Sequence, residues 1–142
     1  MDPVKVVLAP SATAPVRQSE WASGYDLHAL VPSEFQYINP HSWSVVSTGV
    51  SVEIPNGWEA QVRPRSSMTL AGLILPLGTI DSDYRGEVKV MIYNTGNQPY
   101  RLSHGQRIAQ LVFQAVCQPR IMVVDSLSST DRGAGGFGST GR

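Results

Sequence analysis

Residues 50–62 read VSVEIPNGWEAQV, and the fold class follows from them. Val50, Val52 and Ile54 alternate with Ser51 and Glu53, the two-residue period of a strand that buries one face. Pro55-Asn56-Gly57 then supplies turn residues, glycine and asparagine tolerating positive φ, before Trp58 to Val62 resumes an extended pattern. The same texture runs outward in both directions. Val4 to Leu8, Tyr25 to Leu30, Ser44 to Ile54, Glu87 to Tyr93 and Arg107 to Val116 read as further strands, and 13 glycines and 10 prolines punctuate the chain. A second turn lies at Asn94-Thr95-Gly96-Asn97. One short helix is expected from Ser66 to about Ala71, after Pro64-Arg65, with Ser66 or Ser67 as its cap. The reading is one all-β domain with no internal repeat.

Composition narrows what such a domain does. The chain has 142 residues, 42% hydrophobic and 15% charged, enough for one compact core. Eleven basic residues balance eleven acidic ones, which leaves no electrostatic footprint for gripping duplex nucleic acid and favours a small phosphate ligand. Cys117 is the one cysteine, so no internal disulfide forms; it fits a reducing, cytoplasmic setting and is expected to be a small buried hydrophobe. His28, His41 and His104 lack metal-ligand spacing. The opening MDPVKVVLAP is too short an apolar run for a signal peptide, and no stretch approaches a bilayer span, so no membrane partner is expected. Trp21, Trp43 and Trp58 are assigned to the core by default.

Five polar segments carry the chemistry. In SGYDLHA (23–29), Asp26 interrupts a strand, where a lone aspartate ordinarily faces solvent. In RPRSSMTLAG (63–72), Arg65 and two serines precede the helix, and a helix N-terminus is also a place where phosphate binds. GTIDSDYRGEVKV (78–90) reads as a β-hairpin with an acidic tip, in which Asp81 could orient and deprotonate a water and Tyr84 could present a ring to a sugar or base. GQRIAQLVF (105–113) puts Gln110 inside an apolar strand, where it needs a partner such as a ligand oxygen. RGAGGFGSTGR (132–142) combines glycines that can form an anion nest with Arg132, Phe137, Ser139 and Thr140. Its G-x-G-x-x-G is not a dinucleotide fingerprint, because no strand–helix unit follows it, and Ser139 stands where a Walker lysine would be required.

In this order and spacing the five segments resemble the five motifs of the trimeric deoxyuridine triphosphatases, the dUTPases, from Ser23 to Gly141. The resemblance implies a jelly-roll-like (β-clip) subunit and a homotrimer with active sites between subunits. It also implies hydrolysis of dUTP to dUMP and pyrophosphate with Mg²⁺, a reaction that limits uracil in DNA and supplies dUMP for dTMP synthesis. By that resemblance Asp81 orients the attacking water at the α-phosphorus, and Tyr84 packs on the deoxyribose and excludes a 2′-hydroxyl. Backbone around Gly78 and Val88-Lys89 would pair with uracil, and Arg65, Ser66, Ser67 and Gln110 would contact the triphosphate. Asp26 would hold the Mg²⁺ complex through water. Residues 1–125 would form the core and 126–142 an arm reaching a neighbouring site, with Phe137 on uracil and Arg132, Gly138, Ser139 and Thr140 on the phosphates.

Two departures are visible. Ser67 replaces the glycine of the usual Arg-Ser-Gly, and Leu75 stands where some members have an asparagine that touches uracil. The related dCTP deaminases share the fold, but their catalytic glutamate would fall at about Met91, which cannot shuttle protons. A dUTPase fold kept as a protein-interaction module is the rival from another class. The residues leave the host open between bacterium, virus and eukaryote, and with it a nuclear or viral setting beside the cytoplasmic one.

Overall fold

The computed structural model describes residues 2–136. Phe137, Gly138, Ser139 and Thr140, expected to close over the ligand, lie outside the described residues. Among the described residues eleven strands and one short helix follow in order: β1 (Lys5–Leu8), β2 (Gly24–His28), β3 (Phe35–Ile38), β4 (Trp43–Val46), β5 (Val50–Glu53), β6 (Trp58–Pro64), α1 (Ser66–Leu70), β7 (Leu73–Ile74), β8 (Gly78–Ile80), β9 (Val90–Asn94), β10 (Tyr100–Ser103) and β11 (Arg107–Ala115). The expected all-β, jelly-roll-like class is what the chain adopts. Every strand pair is antiparallel.

Four small sheets wrap one core. Their strand orders are β2-β11-β6-β8, β4-β9-β7, β1-β5 and β10-β3. Each sends its inward row to the same centre: Leu27 and Leu111, Val46 and Ile92, Val50 and Val52, Ile38 and Leu102. The alternation read at Val50 and Val52 is therefore correct, both being buried while Glu53 is exposed. Each fully buried Leu or Ile contributes about 1.5–3 kcal/mol of transfer free energy, so these rows carry most of the stability.

Several expectations fail for identifiable reasons. The run Ser44–Ile54 is two strands, β4 and β5, in different sheets. Between them Gly49 takes φ +67, and a Cβ there would lie 2.6 Å from the Ala12 Cβ, so the strand must break at a residue without a side chain. Gly78–Val90 is not a hairpin: β8 pairs with β6 and β9 with β4 and β7, so the Asp81–Lys89 link carries the chain from one sheet to another. Strands β3, β7, β8 and β10 have no more than four residues each, too short for their periodicity to stand out.

The two turns are built differently. Gly57 holds φ +81 in the first. In the second no residue takes positive φ, and the buried Asn94 closes the bend with its side chain: Nδ2 donates to the carbonyls of Ile38 (2.9 Å) and Gln98 (2.8 Å), and Oδ1 accepts from Gly96 N–H (2.9 Å).

Trp58 packs against the core, but Trp21 and Trp43 are exposed, at 87% and 58%. Trp43 and Val45 share the outer face of β4 with Met91 on β9 and Ile74 on β7, an apolar surface left exposed by the described residues. Cys117 is exposed too, because the chain leaves the sheet after Ala115. No helix among the described residues is long and apolar enough to cross a membrane.

Candidate active site

β6 organises the site, because two groups of the expected residues attach to its two ends. At the C-terminal end, Gln110 of β11 lies between Asp26 of β2 and Arg63 of β6, three residues before the start of α1. Asp26 is buried here rather than solvent-facing. Its carboxylate is held from both sides, Oδ1 by Arg65 Nε at 3.0 Å and Oδ2 by Arg107 Nη1 at 3.3 Å. A buried carboxylate without such partners would be costly; with them it fixes two guanidinium groups in one place. Arg107 was not among the expected site residues. The signal for it was the register: Arg107 stands opposite His28, two residues along β2 from Asp26.

Gln110 completes this end. Its Nε2 donates to the Pro64 carbonyl at 3.1 Å, so the partner sought for the amide is backbone. Its Oε1 lies where a Cβ on Gly24 would be only 2.2 Å away, which makes Gly24 a requirement of that side chain. Ser66 and Ser67 open α1 and are exposed, but neither caps it. Arg65 occupies the N-cap position and no side chain closes the first turn, because a guanidinium has no acceptor to offer the free N–H groups. With Gly24, Asp26, Arg65, Ser66, Ser67 and Gln110 on its walls, the depression here measures about 320 Å³. Burial lowers the neighbouring His28 imidazole below its ordinary value; Asp26 opposes this and Arg107 and Arg65 reinforce it. Its Nδ1 is buried without a hydrogen-bond partner among the described residues.

At the other end of β6, Ala60 pairs with Ile80, so Asp81 comes abreast of Glu59. Asp81 is exposed and lines a separate depression of about 410 Å³ with Asn56, Trp58, Glu59, Asp83 and Gln118. The Asp81 carbonyl accepts from Tyr84 N–H at 3.1 Å, closing a tight turn. Tyr84 is 43% exposed; its ring lies over Gly86, where a Cβ would approach the hydroxyl to 2.4 Å, and its hydroxyl donates to the Glu87 carbonyl at 3.0 Å. Gly78 starts β8 beside Val62 with ordinary clearance, and Lys89 is exposed, its Nζ 3.8 Å from Glu87.

The two ends share no lining residue. From Glu59 to Arg65 is about 20 Å of extended chain at the usual rise per residue. One subunit therefore brings Asp26, Arg65, Ser66, Ser67 and Gln110 together at one depression, while Asp81 lines the other without them; Tyr84 shares the Asp81 turn, Gly78 lies opposite Val62 further along β6, and Lys89 lines neither depression. Arg132 joins neither: its Nε donates to the Gly135 carbonyl at 2.9 Å within a local turn. A groove of about 720 Å³ between β1 and the β2–β11 strands contains none of the expected site residues.

No group of three or more His, Cys, Asp or Glu side chains among the described residues could cage a metal ion. Both oxygens of Asp26 are already paired with arginines. Asp26 thus fits a Mg²⁺ ion held through its own water rather than by direct ligation.

A family model described as dUTPase matches residues 10–141. The deoxyuridine 5′-triphosphate nucleotidohydrolase of Caldanaerobacter subterraneus subsp. tengcongensis is 46% identical over 130 residues, covering 89% of this chain and 87% of its own. Among solved structures, the dUTPase of Staphylococcus bacteriophage 80alpha with dUPNHPP superposes with a TM-score of 0.90 at 27% identity, covering 100% of each chain. A mutant dUTPase from phage phi11 of S. aureus, described for its coordination of a structural Mg(II) ion, superposes at 0.80 with 23% identity over 88% of this chain and 98% of its own. With its motifs, its fold and a family match across nearly its whole length, this chain belongs to the dUTPase family.

Proposed function

We propose that this protein hydrolyses dUTP to dUMP and pyrophosphate at sites completed between the subunits of a homotrimer. The observation that carries the reading is the separation of the two half-sites along β6. Attack at the α-phosphorus needs the water and the phosphate-holding groups within a few ångströms of each other. One chain holds them at opposite ends of a strand; two neighbouring chains can bring unlike ends together. The uncovered apolar face of Trp43, Val45, Met91 and Ile74 supports such assembly, being a surface that burial against another copy would stabilise.

In this mechanism Asp81 accepts a proton from water as its oxygen bonds to the α-phosphorus. The bond to the bridging oxygen breaks, and pyrophosphate leaves with that electron pair. Asp81 is exposed in one chain, so a neighbour's phosphate-binding end has access to it. Arg65, with Ser66, Ser67 and Gln110, binds the triphosphate; Asp26 keeps Arg65 and Arg107 aimed. Mg²⁺, held through water at Asp26, would neutralise charge on the phosphate oxygens. Tyr84 stacks on the deoxyribose, and backbone near Gly78 and Lys89 reads uracil.

Residues 1–125 form the body and 126–142 an arm that serves a neighbour. Ile121, Met122 and Val123, which lead into the arm, and Leu127 within it are 82%, 78%, 95% and 89% exposed among the described residues, and this apolar stretch supports docking elsewhere. Arg132, Phe137, Gly138, Ser139 and Thr140 belong to that arm. The lone free thiol at Cys117 agrees with a cytoplasmic setting. The test is pyrophosphate release with Mg²⁺ on dUTP, dCTP, dTTP and UTP in parallel. Turnover confined to dUTP is expected; folded protein inert on all four would end the enzyme reading.

A further inference from the structure

The turn that carries Asp81 and Tyr84 has no ladder of its own. β8 ends at Ile80, β9 begins at Val90, and the two lie in different sheets. Within the turn the bonds are local: Tyr84 N–H to the Asp81 carbonyl, Arg85 Nη1 to the Ser82 carbonyl at 2.7 Å, and Tyr84 hydroxyl to the Glu87 carbonyl. Attachment to the body comes at one place. Glu87 Oε1 accepts from Thr48 N–H at 3.0 Å and from Gly49 N–H at 2.8 Å, both in the corner between β4 and β5. Beside it Val88 N–H donates to the Val50 carbonyl at 2.7 Å, and the buried Thr48 hydroxyl donates to the Val88 carbonyl.

These bonds put one residue in two roles. Its carboxylate satisfies two backbone donors at a corner where Gly49 has left the strand, and its carbonyl holds the Tyr84 ring in place. Among the described residues no other side chain of the 81–87 segment bonds to a strand or corner outside it. We propose that Glu87 is a positioning residue for this reaction: its carboxylate fastens the Asp81–Gly86 turn to the β4–β5 corner and so sets where Asp81 and Tyr84 stand. This rests on the reading of Asp81 as base and Tyr84 as sugar sensor. The sequence hides it, since an acidic residue after a turn looks like an ordinary surface charge.

The test compares Glu87→Ala, Glu87→Gln and Glu87→Asp on the full chain, well below their melting temperatures, with Asp81→Asn alongside. Glutamine keeps an acceptor oxygen at the same reach; aspartate keeps the charge but falls a methylene short. Glu87→Ala is expected to lower kcat on dUTP about tenfold to a hundredfold, the scale of an ångström-sized misplacement, with KM changed less because the Arg65 end is untouched. Because Tyr84 moves with the turn, the preference for dUTP over UTP should fall by about tenfold, while Glu87→Gln stays within about threefold of the parent. A lower melting temperature in Glu87→Ala with kcat and the dUTP/UTP ratio intact would reduce Glu87 to a structural anchor and overturn the proposal. If Glu87→Ala does not fold, the other two variants decide. Aspartate impaired and glutamine spared supports positioning; both spared, or both impaired alike, overturns it. Asp81→Asn separates the layers: full turnover there removes the reading of Asp81 itself, whereas an inert Asp81→Asn beside a normal Glu87→Ala removes only the role of Glu87.

Discussion

The two ends of β6 are made in opposite ways. At one, Asp26 is nearly enclosed and locked by two guanidinium groups, with Gln110 wedged against Gly24; the side chains are set by strands on both sides. At the other, Asp81 and Tyr84 ride on an exposed turn that is tied down through Glu87. The contrast suits the tasks. Holding a polyanion calls for preformed charge that does not relax, and a buried, hydrogen-bonded ion pair supplies it. On the proposed mechanism, delivering a water to a phosphorus held by another chain calls for a group that projects from the surface. The lesson of that proposal is that the binding half of a shared site can be finished within one subunit while the reacting half must be left open.

The strongest test of this division is complementation. Asp81→Asn and Arg65→Ala are each expected to lose activity by about a hundredfold or more as uniform assemblies. Refolded together one to one, random mixing within closed oligomers should restore about a quarter of the sites. Pyrophosphate release from the mixture measures it, and no recovery would mean that each site lies within one chain.

Next in size is Asp26→Ala, which leaves two arginines facing each other at the closed end. Breaking a buried pair typically costs about 3–5 kcal/mol; with the Arg65 and Arg107 side chains still 23% and 44% exposed, about 2 kcal/mol is expected here. Urea titration would report it, and Asp81→Asn on the exposed turn should show almost no loss of stability in the same experiment. If the two substitutions cost the same, the closed and open ends are not distinguished.

Gly24→Ala sharpens the comparison locally. The new Cβ would meet Gln110 Oε1 at 2.2 Å and push the amide from its bond to Pro64, weakening triphosphate binding with a stability loss of about 1 kcal/mol. The expected signature is a raised KM for dUTP with little change in the dUTP/UTP ratio, the reverse of a disturbance at Tyr84.

The smallest effect concerns pH. The Lys5 ammonium, hydrogen-bonded to Glu53 at 2.7 Å, holds the Glu53 carboxyl below its usual 4.5, and Arg85 of the exposed turn adds to this. A lowered folded value means that the stabilisation is present above the unfolded value and is lost as pH falls through the folded one. Melting temperatures followed from pH 5 downward should therefore drop slightly less for Glu53→Gln than for the parent. An identical slope would show that the exposed pair contributes nothing.

How much of this was legible beforehand differs between the two ends. Asp26 and Gln110 could be picked out because each interrupts an apolar strand, and Arg65 because it stands with two serines before the helix, yet their being neighbours depended on register. Arg107 was invisible for the same cause. Asp81 and Tyr84 stood out within GTIDSDYRGEV, but the segment reads as a hairpin until the sheets are known. The exposed Trp43 and Cys117 contradict their ordinary burial because one lies on an uncovered sheet face and the other beyond the last strand.

The sequence by itself determined the all-β class, the alternation of the core rows, the position of the turns and the five motifs, since these depend on local period, on residues that tolerate a bend, and on order along the chain. Only the tertiary structure decided that β4 and β5 separate at Gly49, that Glu87 fills the corner they leave, and that the two half-sites stand at opposite ends of one strand. Those facts depend on pairing between segments far apart in the chain, and no local pattern encodes which partner a strand will take.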